Sequence, residues 1–218
     1  MPIPPPANTG TDLVRIHKAF TRALVVILKN SQGAGPVPGL REGFRSYVLA
    51  FHNTLDTHHQ GEDKIAFPFW EPKLPTGCID RLLSQHTRMV PLLVKVQAWL
   101  ESGDEAWEGS AMVNLHSATA ALNSLWHSHA PLEEERIGPI NAGALLTAEE
   151  NAQLSAQLAT FAQEHSFPHE LVVPFMLYNL PVEERPELAR VFPPVVVQYL
   201  APIAWKATWA PMQPFLLV

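Results

Sequence analysis

Two helical pairs, His58 with Glu62 and His129 with Glu133, stand four residues apart in the segments THHQGEDKIAF and HSHAPLEEERI. That spacing lays an imidazole and a carboxylate on adjacent turns of one helix face. His17 and His86 fall on the apolar stripes of two further helical segments. Burying one unpaired imidazole or carboxylate costs several kcal/mol or forces it to neutralise. Six such groups facing one core require something that satisfies them together, and a metal ion does so. Histidine with carboxylate ligation at octahedral sites suits iron or manganese, whereas zinc prefers fewer ligands. A pair of such metals with open positions binds and polarises O₂ or peroxide. Each element alone has a plainer meaning: a single buried histidine is ordinarily a hydrogen-bonded core residue, and a single H-x-x-x-E a solvated pair. Four segments each giving a histidine, two of them with a glutamate one turn on, is far harder to reach by accident.

The elements that must position these groups are legible from periodicity. A first helix is expected over 11–30, with the stripe Leu13, His17, Phe20, Leu24, Ile27. A second covers about 40–67, with Val48, Phe51, Leu55, His58, Glu62 and Ile65 on one face. The third, about 79–100, presents Ile79, Leu82, His86, Met89, Leu93, Val96 and Leu100. The fourth, about 107–137, presents Leu115, Ala118, Leu122, Leu125, His129 and Glu133. Breakers such as SQGAGPVPG and PFWEPKLPTG separate them. Short connections between helices of this length predict an all-α, antiparallel up-down-up-down four-helix bundle. Alternation then brings all four histidines to the same end, because His17 and His86 lie early in their helices and His58 and His129 late.

The rest of the chain narrows the function classes. The 218 residues, 47% apolar with net charge −6, hold ample core material and no Lys/Arg run, which argues against a nucleic-acid partner. A single cysteine, Cys78, excludes a disulfide framework or a thiolate cluster and fits a cytoplasmic setting. MPIPPPANTG lacks the features of a secretory signal and reads, over residues 1–10, as a disordered Pro-rich arm. Residues 11–140 form the expected bundle and 141–218 a C-terminal helical, Pro-rich extension packed on it. That extension opens with a capping box at Thr147 and Glu150. No apolar run is long enough to span a bilayer. H-E-x-x-H, E-x-x-H, phosphate-loop and nucleophile-elbow patterns are all absent.

The order His17, H58-x-x-x-E62, His86, H129-x-x-x-E133 resembles the hemerythrin-like, or HHE cation-binding, domain over about residues 11–138. The resemblance implies a four-helix bundle with two non-haem irons, bridged by two carboxylates and an oxo or hydroxo group; manganese or zinc is less expected. It implies His17 and His58 on one iron, His86 and His129 on the other, and Glu62 and Glu133 as bridges. The oxygen carriers of this family have a second histidine one turn from that of helix three, where this chain has Leu82 and Val90. They also have H-x-x-x-x-D on helix four, where this chain has H-x-x-x-E with Glu134 at the longer spacing. Five histidines leave one open coordination position, and four leave two, which favours oxidant chemistry over reversible carriage. His59 restores the count only if a helix distortion turns it inward, since it lies about 100° from His58; His59 and Glu134 are thus candidate additional ligands.

The expectation is a di-iron protein that binds and activates O₂ or hydrogen peroxide as an oxidoreductase, with a small organic substrate, acting as monomer or homodimer. The alternative is a non-catalytic sensor of O₂ or nitric oxide, or an iron reservoir. His52, His116, His127, the pair His165 and His169, and Cys78 are assigned no role. Pro91 and Pro131 are expected to kink their helices near the metals.

Overall fold

The computed structural model describes residues 8–218; residues 1–7, most of the expected arm, lie outside the described residues. The described chain is helical throughout, with no strand. Helix α1 (Thr9–Asn30) starts two residues earlier than the periodicity predicts, because Asn8 supplies the cap: its Oδ1 accepts from Thr11 N–H at 3.0 Å. Helix α2 (Arg41–Gly61) continues without a break through a π-helical segment, Glu62–Ala66, into α3 (Phe67–Trp70). Helix α4 (Asp80–Glu101) and α5 (Ala111–Ile137) run through Pro91 and Pro131, both on exposed faces. A 3-10 turn, Gly103–Trp107, ends where the sequence suggested the fourth helix would start, and α5 begins later, at Ala111.

Helix α1 packs on α2 and α5, and α4 packs on α2 and α5, so each of these four helices has two neighbours. The stripe residues read from the sequence are buried, apart from His58, Ile65 and Leu125, which are half-buried. The buried apolar side chains divide into two clusters. The larger includes Phe20, Leu55, Met89 and Trp126; the smaller includes Leu13, Phe67, Leu82 and Ile137. Each fully buried side chain of this kind stabilises the fold by roughly 1.5–3 kcal/mol. Along α1 and α4 the chain passes from the smaller cluster to the larger, and along α2 and α5 the reverse. His17, His58, His86 and His129 lie at the crossing on every helix, so the ionisable residues form a polar layer between two apolar ones.

The remaining helices are α6 (Pro139–Leu145), α7 (Ala148–His165), α8 (His169–Tyr178), α9 (Arg185–Ala189) and α10 (Lys206–Trp209). The Thr147 capping box forms: Glu150 N–H donates to Thr147 Oγ1 at 3.2 Å, and Thr147 N–H to Glu150 Oε2 at 2.8 Å. Helices α7 and α8 and the 3-10 segment Ala210–Phe215 all pack on α2. Polar bonds fix this docking. Tyr47 Oη donates to Asn179 Oδ1 at 2.7 Å, and Arg22 Nη1 to the Phe215 carbonyl at 2.8 Å. No helix among the described residues is long and apolar enough to cross a membrane.

The extension comes close against α2 at Gly43, where a Cβ would sit 1.8 Å from the Pro211 carbonyl oxygen. Only glycine fits there. Gly43→Ala is therefore expected to destabilise the protein by about 1–3 kcal/mol, the usual cost of overpacking, seen as a lowered melting temperature. An unchanged melting temperature would mean that the C-terminal segment does not hold to α2.

Candidate metal centre

Two groups of side chains in the polar layer have ligand atoms within 4.8 Å of one another: His17, His58, Glu62 and Glu133, and His59, Glu62, His86 and His129. Glu62 is common to both. Glu133 Oε2 lies 3.2 Å from His17 Nε2 and 3.2 Å from His129 Nε2, so it also stands between the groups. Each of the six residues expected from the sequence is in one group or the other, and one more, His59, joins them.

Helix geometry explains the entry of His59. Consecutive residues differ by about 100° around the axis, and α2 lies against both α1 and α4. His58 and His59 straddle the inward direction. His58 turns to α1, with its ring 5.6 Å from that of His17, and His59 to α4, stacked on His86 at 4.2 Å. The π-helical turn begins at Glu62, whose N–H is shared between the carbonyls of His58 and His59. Insertions of this kind cluster at functional sites. The second long helix thus brings a histidine to the side on which the third offers no second one. Leu82 is fully buried in the smaller apolar cluster, and Val90 points outward at 54% exposure.

The donor atoms are arranged for a cation. His17 Nδ1 donates to Glu134 Oε1 at 2.9 Å, His86 Nδ1 to Asp63 Oδ1 at 2.7 Å, and His129 Nδ1 to Gln85 Oε1 at 3.2 Å. Gln85 is itself held by donating Nε2–H to Ser128 Oγ. With Nδ1 committed as donor, each neutral ring presents the lone pair of Nε2 to the interior. His86 Nε2 and His129 Nε2 are 3.2 Å apart, lone pair against lone pair, a conflict that a cation between them removes. The Nε2 atoms of His17, His58 and His59 and all four carboxylate oxygens of Glu62 and Glu133 are buried without a hydrogen-bond partner. Short contacts exist, such as 2.9 Å from His58 Nε2 to Glu62 Oε1, but they are out of line for hydrogen bonds. Buried polar atoms are nearly always satisfied, so seven orphans converging on one layer fit a metal-binding role.

Electrostatics agree. Burial, with neighbouring rings adding to it, pushes His58 and His59 well below the ordinary histidine pKa. Burial also lowers His129, against the pull of Glu133. Both rings of the His58–His59 pair are then neutral near pH 7, as ligation requires. Burial opposes protonation of His17, yet Glu133 and Glu134 hold its pKa above the usual value. Burial, and Glu133 beside it, push Glu62 well up; Glu133 is held well down, despite burial, by His129 and His17. Two carboxylates so close cannot both be charged without a nearby cation.

Glu134 stands outside both groups, half-buried, as the partner of His17 Nδ1. Asp63 and Gln85 play the same part for His86 and His129. Sequence patterns did not single out Asp63 or Gln85, which follow Glu62 and precede His86 off the apolar stripes. The remaining histidines stay outside the layer. His116 Nδ1 is 3.0 Å from Ser31 Oγ, His52 Nδ1 is 2.9 Å from Asn53 Oδ1, and His127 is exposed. His165 ends α7 and His169 begins α8, each bonded to a backbone carbonyl.

The Hemerythrin HHE cation binding domain family matches residues 10–140. The chain belongs to this family. The match spans α1 to α5 and the start of α6, and so contains every residue of both groups. No curated protein and no solved structure matches the chain. Within this HHE domain, the partners of the outer imidazole nitrogens are open to test. Partners of this kind typically contribute about 10–100-fold to metal affinity. Asp63→Ala and Glu134→Ala are each expected to weaken metal binding by about that factor, measured by competition with a fluorescent chelator, with helicity unchanged. Affinity equal to that of the parent in both variants would mean that these imidazoles do not ligate through Nε2.

Proposed function

We propose that this HHE domain holds two irons, one by His17, His58, Glu62 and Glu133 and the other by His59, Glu62, His86 and His129, and works as an oxidoreductase on O₂ or hydrogen peroxide. The observation that carries this reading is that the two groups share Glu62 and both approach Glu133, the arrangement expected of two bridging carboxylates. The proposed scaffold is an antiparallel up-down bundle. The opposite order of the two apolar clusters along α1 and α4, compared with α2 and α5, supports it.

When bound, a pair of irons supplies electrons and Lewis acidity to the oxidant. The chain's own residues do the rest. Glu134, Asp63 and Gln85 orient three imidazoles and keep their protons on Nδ1. Trp126, whose Nε1–H donates to Thr21 Oγ1 at 2.8 Å, packs edge-on against His17 at 4.9 Å. Phe67 stacks on His86 at 5.4 Å and Phe20 lies 5.2 Å from His58. These rings cover the imidazoles they pack on and strengthen the interactions on those sides of the layer. Asp63, 40% exposed, joins His86 to the surface.

One observation favours a second reading. With His59 counted, five histidines and two carboxylates surround the centre, the number associated with reversible oxygen carriage, so a non-catalytic O₂ or nitric oxide binder, or an iron reservoir, is the rival. Anaerobic loading with Fe(II), followed by O₂ and watched optically, separates the two. The oxidoreductase reading expects near-ultraviolet charge-transfer absorption to develop irreversibly and peroxide to be turned over steadily. Absorption that disappears when O₂ is withdrawn, with no turnover, would favour the carrier or sensor.

A further inference from the structure

A cavity of about 550 Å³ lies between α1 and α2 on one side and α7, α8 and the segment following α9 on the other. Its size falls inside the roughly 300–1,000 Å³ range of small-molecule sites. It reaches His58 and Glu62, so its inner end is the polar layer itself. It is partly open to solvent, so a small molecule can enter it and reach the polar layer. Much of the wall, including Leu158, Phe161, Val173, Val191 and Phe192, comes from residues beyond the 10–140 family match. The extension therefore does more than cover α2: it builds a chamber against one of the two metal-capable groups.

The wall selects its ligand. Its acidic and basic side chains are Asp12, Glu62 and Arg190, with the imidazoles of His58 and His169, the latter bonded to the Gln163 carbonyl. Asp12 is engaged by Arg15 at 3.0 Å, Arg190 by Glu187 at 2.8 Å, and Glu62 belongs to the polar layer. In the metal-free chain an ionised ligand would shed its hydration and meet countercharges already committed, a costly exchange. A neutral apolar molecule loses little water and gains the aliphatic and aromatic wall. Thr57, buried and next to His58, offers a hydroxyl near the inner end. The second cavity, about 230 Å³, is different in kind: it meets the other group at His59 and His86 and carries Asp56, Gln60 and Asp63. The two faces of the polar layer thus differ, one apolar and roomy, the other small and acidic.

We propose that the larger cavity binds a neutral, largely hydrocarbon molecule with one end at His58 and Glu62. The inference deepens the di-iron reading, on which the ligand's role as substrate rests; binding in the cavity does not depend on metal. The probes are octan-1-ol and octanoate, the same chain with a neutral or a charged end, titrated by calorimetry into the full-length protein with and without iron. Saturable binding of octan-1-ol to both forms is expected, with octanoate weaker by at least about tenfold in the iron-free form, where no metal cation faces the cavity. Ala159→Trp and Ser155→Trp, which place an indole in the cavity from α7, are each expected to weaken octan-1-ol by at least about tenfold while metal content and helicity are kept. If one of them does not fold, the other is read. No saturable binding, equal affinity for octanoate in the iron-free form, or full octan-1-ol affinity in the folded variants would overturn the proposal. Octan-1-ol binding by a chain that takes up no iron would leave the cavity assignment standing and remove the di-iron reading; iron uptake without octan-1-ol binding would do the reverse.

Discussion

Seven buried donor atoms with no hydrogen-bond partner, held in one layer between two apolar clusters, set the terms for the whole molecule. Left alone, such a layer costs several kcal/mol for each unsatisfied group and forces carboxylates and imidazoles out of their ordinary charge states. The opposed shifts of Glu62 and Glu133 show that strain in the protonation pattern. A fold keeps such a layer only where the surrounding apolar packing offsets it and the layer has a use. The aromatic rings above and below, the outward bonds from Nδ1 and the glutamate shared by both groups are all arrangements that hold unpaired donors in place and facing one another.

Much of this was legible in the sequence because an ionisable residue on an apolar stripe contradicts its surroundings. His17, Glu62, His86, His129 and Glu133 interrupt runs of Leu, Phe, Ile and Met at helical spacing, and the structure buries all five. Spacings of three and four also located the four long helices to within a few residues. His59 was not legible in the same way. It sits off the stripe centred on His58, and its inward turn follows from α2 having a neighbour on each side, a tertiary fact that periodicity along one helix does not carry. Asp63, Gln85 and the bond from His17 to Glu134 were hidden for a related reason: partners of an imidazole's outer nitrogen belong on the flank of a stripe, where polar residues are expected anyway.

The C-terminal third was the least predictable part, since its prolines and uninterrupted apolar stretches obey no single period. Its packing is nonetheless specific. Gly43 admits the Pro211 carbonyl against α2, Asn179 and Tyr47 join α8 to α2, and α7 stands across from His58 at the far wall of the larger cavity. An HHE domain carries the donor atoms, and the segments added after it give one face of the donor layer an apolar chamber. On this account the division of labour in the chain is between residues that hold a metal pair and residues that decide what may approach it.

The central claim is that the two groups of donors hold one metal ion each, with His59 among the ligands. Metal analysis against protein concentration, on chains grown with added iron, tests it most directly when the parent is compared with His59→Ala. The account predicts roughly two irons per chain in the parent, falling to about one in the variant as the His59, His86 and His129 group loses a ligand while the His17 and His58 group keeps all of its own. A parent that binds no metal, or only a single ion, or a variant that retains both with undiminished affinity, would contradict it.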